Sequence, residues 1–380
     1  MGRKVQRSLI QLIVFLGILC FILYLNRPQS TKDKPFAWGK IRYKTTSSII
    51  PEARGICPGL AETTKPALIV SHVSTDGDPS WLEPLRTRYH VCMYHVDAPA
   101  DKTSKQLQVP ANRGHEAMAY LTFLIDNYAE IPSASVFVHG SRWAWHNDIP
   151  DYDNAALLRS LNVDAALQPS GYSNLRCDWS AGTCPSSVPA QGSLEMRLSS
   201  AVSPWSARSA SDIALPKALG HIFGGDSDAR VDEINNAFHL HLGRNDAVRA
   251  QCCAQFVVSR DRVWQHGRDE YIALRQWLLD GSDDGVARNV QRGSRAAPGD
   301  DRVAGRIVSY LWHILFARIG YDGGIDLDQL NRDSCPSASE CYCRLYGKCD
   351  LKCRGHGSCK GQYAIPKDYK LPVDWEETHS

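Results

Sequence analysis

The sequence predicts an α/β domain in which helices flank a layered sheet. Three short apolar runs, rich in β-branched or aromatic residues, have the length of buried strands: "ALIVSHV" at 67–73, "VCMYHVD" at 91–97 and "SVFVHG" at 135–140. An amphipathic helix lies between the second and the third run. Because strands and a helix alternate within one stretch of chain, a helix-covered sheet fits better than a β-sandwich or a helical bundle.

That helix is predicted from "NRGHEAMAYLTFLIDNYAEIP", residues 112–132, where apolar residues recur with the 3.6-residue period. Asn112 is its expected N-cap, and Pro132 closes the segment. Residues 180–216 are dominated by Ser, Ala, Pro and Gly and predict a disordered surface insertion. Regular structure then resumes and includes a long predicted helix over 302–319.

The run "LIQLIVFLGILCFILYL" predicts a membrane helix, because it is apolar but for one Gln and, at about 1.5 Å rise per residue, can cross a thin bilayer of roughly 27 Å. Basic residues precede it, which places the bulk of the chain in the lumen of the ER or Golgi. A cleaved signal peptide is the alternative, but the length of the run favours an uncleaved signal-anchor. The predicted organisation is a cytoplasmic tail (1–8), a signal-anchor (9–25), a stem (26–65), a lumenal α/β domain (66–330) and a cysteine-rich tail (331–380).

Cysteine usage indicates an oxidising compartment. Of 13 cysteines, one lies in the apolar run, which leaves an even number for disulfides. Residues 335–359 are cysteine-rich, but without two CxxC or Cys/His pairs, so disulfides are favoured over zinc. We expect Cys177 to pair with Cys184 and the tail to be cross-linked within itself. Cys252 and Cys253 should have separate partners, because adjacent cysteines rarely meet disulfide geometry.

The charge balance argues against a nucleic-acid partner. Lys and Arg number 43 and Asp and Glu 41, so the chain is nearly neutral. With 43% hydrophobic residues and no evident internal repeat, the chain can bury a large core. A folded domain that does not bind nucleic acid is therefore expected.

Residues 136–153, "VFVHGSRWAWHNDIPDYD", join a strand end to a dense group of polar and aromatic side chains. Ligands of open α/β sheets bind beyond the carboxyl ends of the strands, where this segment begins. Burying so many polar groups without partners would cost kilocalories, which favours a site, although a solvated loop is the alternative. The candidate side chains are His139, Arg142, Trp143, Trp145, His146, Asp148, Asp151 and Asp153.

Carboxylates in this segment predict a divalent cation, Mn²⁺ or Mg²⁺. Asp151 and Asp153 have a two-carboxylate spacing that can hold such an ion through oxygen ligands, and Asp148 precedes them. Asp76 and Asp78, after the first predicted strand, have the same spacing. The pattern is common in loops, so it favours a metal only in combination with the neighbouring side chains.

Five ordered motifs resemble an uncharacterised family common in filamentous fungi: "NRGHEAMAYLTFLIDNY", "VFVHGSRWAWHND", "GYSNLRC", "CCAQFVVSRDRV" and "GRIVSYLWHILF". The similarity spans residues 67–349 and departs from the family at His115, where Arg is usual, and in the 180–216 insertion. The turn that opens the helix after Asn112 is also similar to the rhamnan-synthesis class of glycosyltransferases, which have a GT-A type fold.

The glycosyltransferase resemblance implies a GT-A-like sheet that binds a nucleotide sugar and transfers the sugar to a hydroxyl acceptor, with the cation neutralising the diphosphate. A helix N-terminus offers free N–H groups and a positive dipole end to phosphate. The implied base is His139, His146 or Asp148. The implied nucleotide, phosphate and sugar contacts are Asp97, Asn112, Arg113, Gly114, Glu116, Arg142, Trp145 and Arg306.

Arg306, Tyr310 and His313 form one stripe of the predicted helix over 302–319. The stripe is either a solvated face or a surface that closes over the polar segment. On the second interpretation, His313 joins the catalytic histidines and Arg306 shares the diphosphate with Arg113.

Two other classes of function stay open. A metal-dependent hydrolase or lyase would use His139, His146 and nearby aspartates as zinc ligands. A non-catalytic lumenal binding protein would instead use exposed aromatic residues of the tail, such as Tyr342, Tyr346 and Tyr363.

Overall fold

The computed structural model describes residues 3–25, 35–45, 51–98, 101–148, 152–224, 238–281, 295–320 and 323–359. Within them the chain forms a six-stranded sheet and twelve α-helices. The strands are β1 (Ala67–His72), β2 (His90–His95), β3 (Leu107–Gln108), β4 (Ala134–His139), β5 (Tyr172–Asn174) and β6 (Phe256–Ser259). Three 3₁₀ helices cover Ser74–Asp76, Pro79–Thr87 and Tyr128–Glu130.

The helices divide between the chain's N-terminal segment and the two faces of the sheet. They are α1 (Arg3–Leu25), α2 (Glu116–Asp126), α3 (Asn154–Ser160), α4 (Val163–Ala166), α5 (Leu194–Val202), α6 (Ala207–Gly224), α7 (Arg260–Val263), α8 (Arg268–Asp280), α9 (Asp301–Ser309), α10 (Trp312–Leu315), α11 (Leu327–Ser334) and α12 (Ala338–Tyr346).

The sheet has the strand order β3-β2-β1-β4-β6-β5. β1 pairs in parallel with both β2 and β4, and β3 pairs in parallel with β2. β6 is antiparallel to β4 and to β5. The chain moves outward from β1 through β2 to β3 and then returns to add β4 on the other side of β1. The strand order therefore reverses between β1 and β4, which is where open α/β sheets bind ligands.

Alternate side chains of the strands enter two cores, one on each face of the sheet. In β1, Ala67 and Ile69 join the core covered by α2, α6, α8 and α9. Leu68 and Val70 join the core covered by α3, α4 and α12. Because both faces are covered, β1 is buried along its whole length, which explains its nearly continuous apolar sequence. The predicted α/β layering is confirmed.

Helix α1 has the length and composition of a membrane span or a signal sequence. Val5–Tyr24 has a mean hydropathy of 2.2, and none of this stretch is buried. A helix whose apolar side chains meet no protein surface is expected to be covered by lipid or removed.

Much of the predicted stem belongs to the folded domain. Phe36 and Trp38 are 1% and 0% exposed, and the Trp38 indole N–H donates to the Leu240 carbonyl at 3.1 Å. A disulfide between Cys57 and Cys92 ties the later part of the segment to β2. The stem predicted for residues 26–65 is therefore wrong from Phe36 onward, because a polar composition concealed a few deeply buried aromatic anchors.

The predicted disorder of residues 180–216 is also wrong. This segment contains α5 and the first half of α6. The Ser193 side chain caps α5 by accepting a hydrogen bond from the Met196 N–H, and Leu215 of α6 is fully buried. A composition rich in serine and alanine predicts disorder, but here serine caps a helix and alanine is a strong helix former.

The disulfide pattern corrects two expectations. The described bonds are Cys57–Cys92, Cys177–Cys341, Cys184–Cys335, Cys252–Cys253, Cys343–Cys349 and Cys353–Cys359. Cys177 and Cys184 thus reach the tail rather than each other, and the adjacent cysteines are joined instead of having separate partners. The expectation that the tail is cross-linked within itself is confirmed for the last two bonds and wrong for Cys335 and Cys341, which bond to the domain.

The cysteine-rich tail packs on the domain rather than standing apart from it. Tyr342 and Leu345 of α12 belong to the second core, together with residues of β1 and α3. Because α12 lies against α3 and α4, Cys341 comes next to Cys177, which is far away in sequence. Spacing along the chain therefore did not indicate the true partner.

Candidate functional site

Three parallel strands end in histidine at the same edge of the sheet. His72 closes β1, His95 closes β2 and His139 closes β4. The register places His72 opposite His95 on one face of the sheet, and His139 opposite Ser71 on the other face. Asp76, which follows β1, interacts with both His72 and His139 and so links the two faces at the point where the strand order reverses. The name histidine cluster is used below for the three strand-terminal histidines with His146, Asp76 and Glu116.

The first half of the cluster follows β1. The His72 ring meets the His95 ring edge to face at 5.5 Å, and its Nδ1 lies 3.7 Å from Asp76 Oδ2. Burial raises the pKa of Asp76, although the hydrogen bond from the Val73 N–H and the neighbouring histidines oppose that rise. Burial, then His72, lowers the pKa of His95. These shifts favour neutral side chains on this side of the crevice.

A glycine makes this arrangement possible. A Cβ on Gly140 would lie 2.5 Å from Asp76 Oδ2 and 2.8 Å from the His72 Cα. Neither contact is sterically tolerable. The glycine after His139 in "VFVHG" therefore lets the loop after β1 approach the end of β4.

The second half of the cluster is centred on His139. Its Nε2 lies 2.8 Å from the Cys253 carbonyl oxygen, and its Nδ1 lies 4.0 Å from Glu116 Oε2. A carbonyl only accepts, so Nε2 carries the proton and Nδ1 is the basic nitrogen, aimed at Glu116. The His146 ring lies tilted against the His139 ring, with the ring centroids 4.1 Å apart. A base oriented by one partner and flanked by a carboxylate is a common catalytic arrangement.

Beneath the cluster lies a tyrosine that the sequence did not single out. Tyr120, one turn after Glu116 in α2, is fully buried, and its hydroxyl has no hydrogen-bond partner. Burial, then the nearby carboxylates Glu116 and Asp76, raises its pKa well above the usual value, so the phenol remains a proton donor. A buried hydroxyl without a hydrogen-bond partner costs roughly 1–3 kcal/mol of folding free energy. Its position beside an acid–base cluster therefore makes Tyr120 a candidate functional residue.

Asp97, expected to contact a nucleotide, lies at the same edge of the sheet after β2. Its Oδ2 accepts hydrogen bonds from the Ser74 N–H at 2.8 Å and from the Ser74 hydroxyl at 2.6 Å. Those two bonds lower the pKa of Asp97 and keep it ionised. The carboxylate joins the loops after β1 and β2 at the rim of the crevice.

The other predicted metal ligands are engaged inside the protein. Asp148 is 3% exposed and accepts hydrogen bonds from the Cys177 N–H at 2.7 Å and the Tyr342 hydroxyl at 2.8 Å. Asp153 caps α3 and pairs through both oxygens with Arg142. Asp151 lies outside the described residues. The aspartates that can be seen therefore support the loop and do not converge on a cation.

Buried amides and an arginine from other motifs fix the loop after β4. The Gln255 amide donates to Asn147 Oδ1 at 3.0 Å, and Asn147 donates to the Arg142 and Tyr152 carbonyls. Arg176 donates to the Trp145 and Asn147 carbonyls, both at 2.8 Å. Trp145 is held at the mouth, 48% exposed, with its ring 5.6 Å from that of His146. The "GYSNLRC" and "CCAQF" segments thus position the residues of the "WHND" segment.

The predicted phosphate site at the start of α2 is closed. Arg113 is 5% exposed and donates to Asp301 at 3.0 Å and to the carbonyls of Leu278 and Gly299, among others. The Gly114 N–H donates to Asp301 Oδ1 at 2.6 Å. This carboxylate occupies the position where the dipole end of the helix would hold an anion.

Asn112 does not cap α2. The helix begins at Glu116, and its N-cap is His115, with a φ of 54°. Asn112 is exposed and lies ahead of the Arg113 network. Glu116 is the one predicted phosphate-region residue that joins the histidine cluster.

Arg306 and His313 are separated, because the predicted helix over 302–319 divides into α9 and α10. Arg306 donates to the Tyr310 hydroxyl at 3.1 Å, which in turn donates to Asp212 on α6 at 2.8 Å. His313 is 3% exposed and borders a small cavity beside β5, at the far edge of the sheet. Burial lowers its pKa to about 3, so it is neutral. The expected closure of this stripe over the cluster is not found.

Two further expectations concern a zinc site and the exposed aromatic residues of the tail. Among the residues that the structure describes, only Cys57, His90 and Cys92 bring three potential metal-ligand atoms within 4.8 Å of one another, and both cysteines are in a disulfide. Of the tail aromatics, Tyr342 is buried and Tyr346 donates to the Leu175 carbonyl, while Tyr363 lies outside the described residues. An open groove of about 1390 Å³ lies elsewhere and includes none of the cluster.

A family model for proteins of unknown function, DUF3431, matches residues 68–344. The chain belongs to this DUF3431 family. The matched segment runs from β1 into α12 and therefore contains the whole sheet, the histidine cluster and the part of the tail that packs on it. No curated protein and no solved structure matches the chain.

Proposed function

We propose that the protein is a glycosyltransferase-like enzyme that binds a nucleotide sugar in the crevice between β1 and β4 and transfers the sugar to a hydroxyl acceptor. The observation that carries the proposal is that three strands end in histidine at one edge of the sheet, where the strand order reverses, with Asp76 interacting with both His72 and His139. Ionised Asp97 at the rim fits a nucleotide hydroxyl, and exposed Trp145 fits the apolar face of a sugar ring.

In the proposed step, the acceptor oxygen bonds to the anomeric carbon as the bond from that carbon to the diphosphate breaks. The hydroxyl proton passes to Nδ1 of His139. The negative charge of Glu116, 4.0 Å away, stabilises the imidazolium that results, and the Cys253 carbonyl holds the ring in orientation. Tyr120 stays protonated below Glu116 and Asp76.

Mn²⁺ or Mg²⁺ remains part of the proposal as a partner of the leaving diphosphate. Asp148 and Asp153 do not fit such an ion, because their oxygens already accept hydrogen bonds from protein donors. The proposed step therefore passes through no metal. Six disulfides fit a lumenal domain, and we propose the ER or Golgi lumen as its compartment.

The test is calorimetric titration of the full-length, detergent-solubilised protein with UDP, GDP and their sugar conjugates, with and without Mn²⁺. Binding of one nucleotide is expected to weaken at least about tenfold in Asp97→Asn, which removes a charge-assisted contact. Sugar transfer is expected to be lost in His139→Gln while nucleotide binding persists. His356→Gln, an exposed histidine of the tail, is the matched control. Failure of every nucleotide to bind, with or without metal, would exclude the proposal.

A metal-dependent hydrolase is the second candidate, because four histidines lie in one cluster and histidine is a frequent zinc ligand. The rings would have to move to coordinate one ion, since the described ligand atoms of the cluster do not converge. Elemental analysis separates the two proposals: zinc retained at one equivalent in protein purified without added metal, and lost in His139→Gln, favours the hydrolase.

A further inference from the structure

Three of the most exposed large apolar side chains outside α1 are close in sequence. Leu198, Val202 and Trp205 are 59%, 76% and 77% exposed. Leu198 and Val202, four residues apart, lie on one side of α5, and Trp205 follows in the turn after the helix. Met196, on the inner side of α5, is 5% exposed and holds the helix to the body. A soluble surface seldom groups such side chains without a partner.

The neighbouring chemistry suits a lipid headgroup layer. Arg197 and Arg208 are exposed on either side of the three apolar residues. Tryptophan is enriched at membrane interfaces, and basic residues next to an apolar helix face attract anionic lipids. The face is short, so it fits shallow contact with a bilayer rather than a span.

The chain also limits how far this face can be from a membrane. Only ten residues separate Leu25, the end of α1, from Phe36, which is buried in the body. Ten residues span at most about 36 Å even when fully extended. A body tethered so closely must keep part of its surface near the bilayer that holds α1.

α6 connects the point of attachment to the apolar face. The C-terminal end of α6 packs against the start of the body, where the Arg42 N–H donates to the Ile222 carbonyl at 2.8 Å. Its N-terminal end follows directly after Trp205. With about 1.5 Å rise per residue, α6 is roughly 27 Å long, so the apolar face lies about one helix length from the start of the body.

We propose that the face formed by Leu198, Val202 and Trp205 inserts into the headgroup layer of the membrane that holds α1. The inference rests on α1 being a retained anchor, and it is independent of the proposed transferase activity. Contact at two points, the anchor and this face, fixes the orientation of the body on the membrane.

The test uses the full chain in phosphatidylcholine vesicles that contain a minor fraction of phosphatidylglycerol. Cys20, the free cysteine of the described residues, is replaced by serine, and an environment-sensitive dye is attached at Val202→Cys. Trp264→Cys is the matched control, because Trp264 is an exposed aromatic residue on a different helix boundary. Shallow spin-labelled lipid is expected to quench the dye at 202 at least about threefold more than the dye at 264.

Dye on native Cys20 separates the two parts of the inference. If deep spin-labelled lipid quenches the dye at Cys20 but quenching is equally weak at 202 and 264, α1 is an anchor and the proposed membrane contact of the apolar face is wrong. No quenching at Cys20 would overturn both. Protection of 202 that rises with the number of chains per vesicle would assign the face to a second copy and also overturn the membrane contact.

Discussion

The segment from His139 to Asp153 has two halves with opposite roles. In the first half, His139 and His146 join the histidine cluster, and Trp145 stands exposed at its mouth. In the second half, Asp148 and Asp153 have their oxygens filled by protein donors. The roles differ because different residues, distant in sequence, contact each half. A dense polar segment therefore contains both a candidate site and the residues that support it.

Asp148→Ala should have the largest effect on stability. The substitution leaves the Cys177 N–H and the Tyr342 hydroxyl buried without acceptors, which should lower the free energy of unfolding by about 2–4 kcal/mol. Urea denaturation followed by tryptophan fluorescence measures the change. Asp350→Ala, at an exposed position of the tail, is the control. An equally small loss in both variants would show that Asp148 does not support the loop.

Gly140→Ala should reduce both stability and ligand binding. The new Cβ would meet Asp76 Oδ2 and the His72 Cα, so we expect a loss of about 1–3 kcal/mol in stability together with loss of ligand binding. Gly355→Ala is the matched control, because nothing lies within 4 Å of its added Cβ. Urea denaturation and nucleotide titration are carried out on both variants. Unchanged binding in Gly140→Ala would show that the crevice is not the binding site.

His313→Gln should change the pH dependence of stability. Burial lowers the pKa of His313 from 6.5 to about 3, so between these pH values the unfolded state binds one more proton at this position. The wild-type free energy of unfolding should therefore fall as pH falls from 6.5 towards 3, and part of that fall should disappear in the variant. Urea midpoints at several pH values test this, with His356→Gln as the control. Parallel curves for all three proteins would contradict the burial of a neutral His313.

Trp145→Ala should have the smallest effect on the fold. The side chain is 48% exposed, and we expect the free energy of unfolding to change by at most about 0.5 kcal/mol. If the ring stacks on a sugar, KM for the sugar donor or acceptor should rise while the protein unfolds as before. A large loss of stability would place Trp145 with the supporting half of the segment.

The layered fold could be predicted from sequence because its central strands are buried on both faces. β1, β2, β4 and α2 match the predicted runs closely. β3 and β5 were missed, since two and three residues are too few for a pattern. α6 was missed because its buried residues are scattered among serines and alanines and include Pro216.

The candidate site was predicted in part. His139 and His146 were recognised from their crowded segment, whereas His72 and His95 were overlooked. A signal for them was present: each of the three predicted strand runs carries a histidine near its carboxyl end, and parallel strands bring those ends together. Tyr120 gave no such signal, because a tyrosine on the apolar face of a helix is usually packing.

The bond between Cys252 and Cys253 makes the geometry of the crevice depend on where the chain matures. The Cys253 carbonyl orients His139, and Cys253 and Ala254 have φ values of 94° and 48°. Without the bond to Cys252, Cys253 would no longer be constrained to that unfavourable backbone region. In a chain made in a reducing cytosol, the Cys253 carbonyl should therefore hold the His139 ring less firmly.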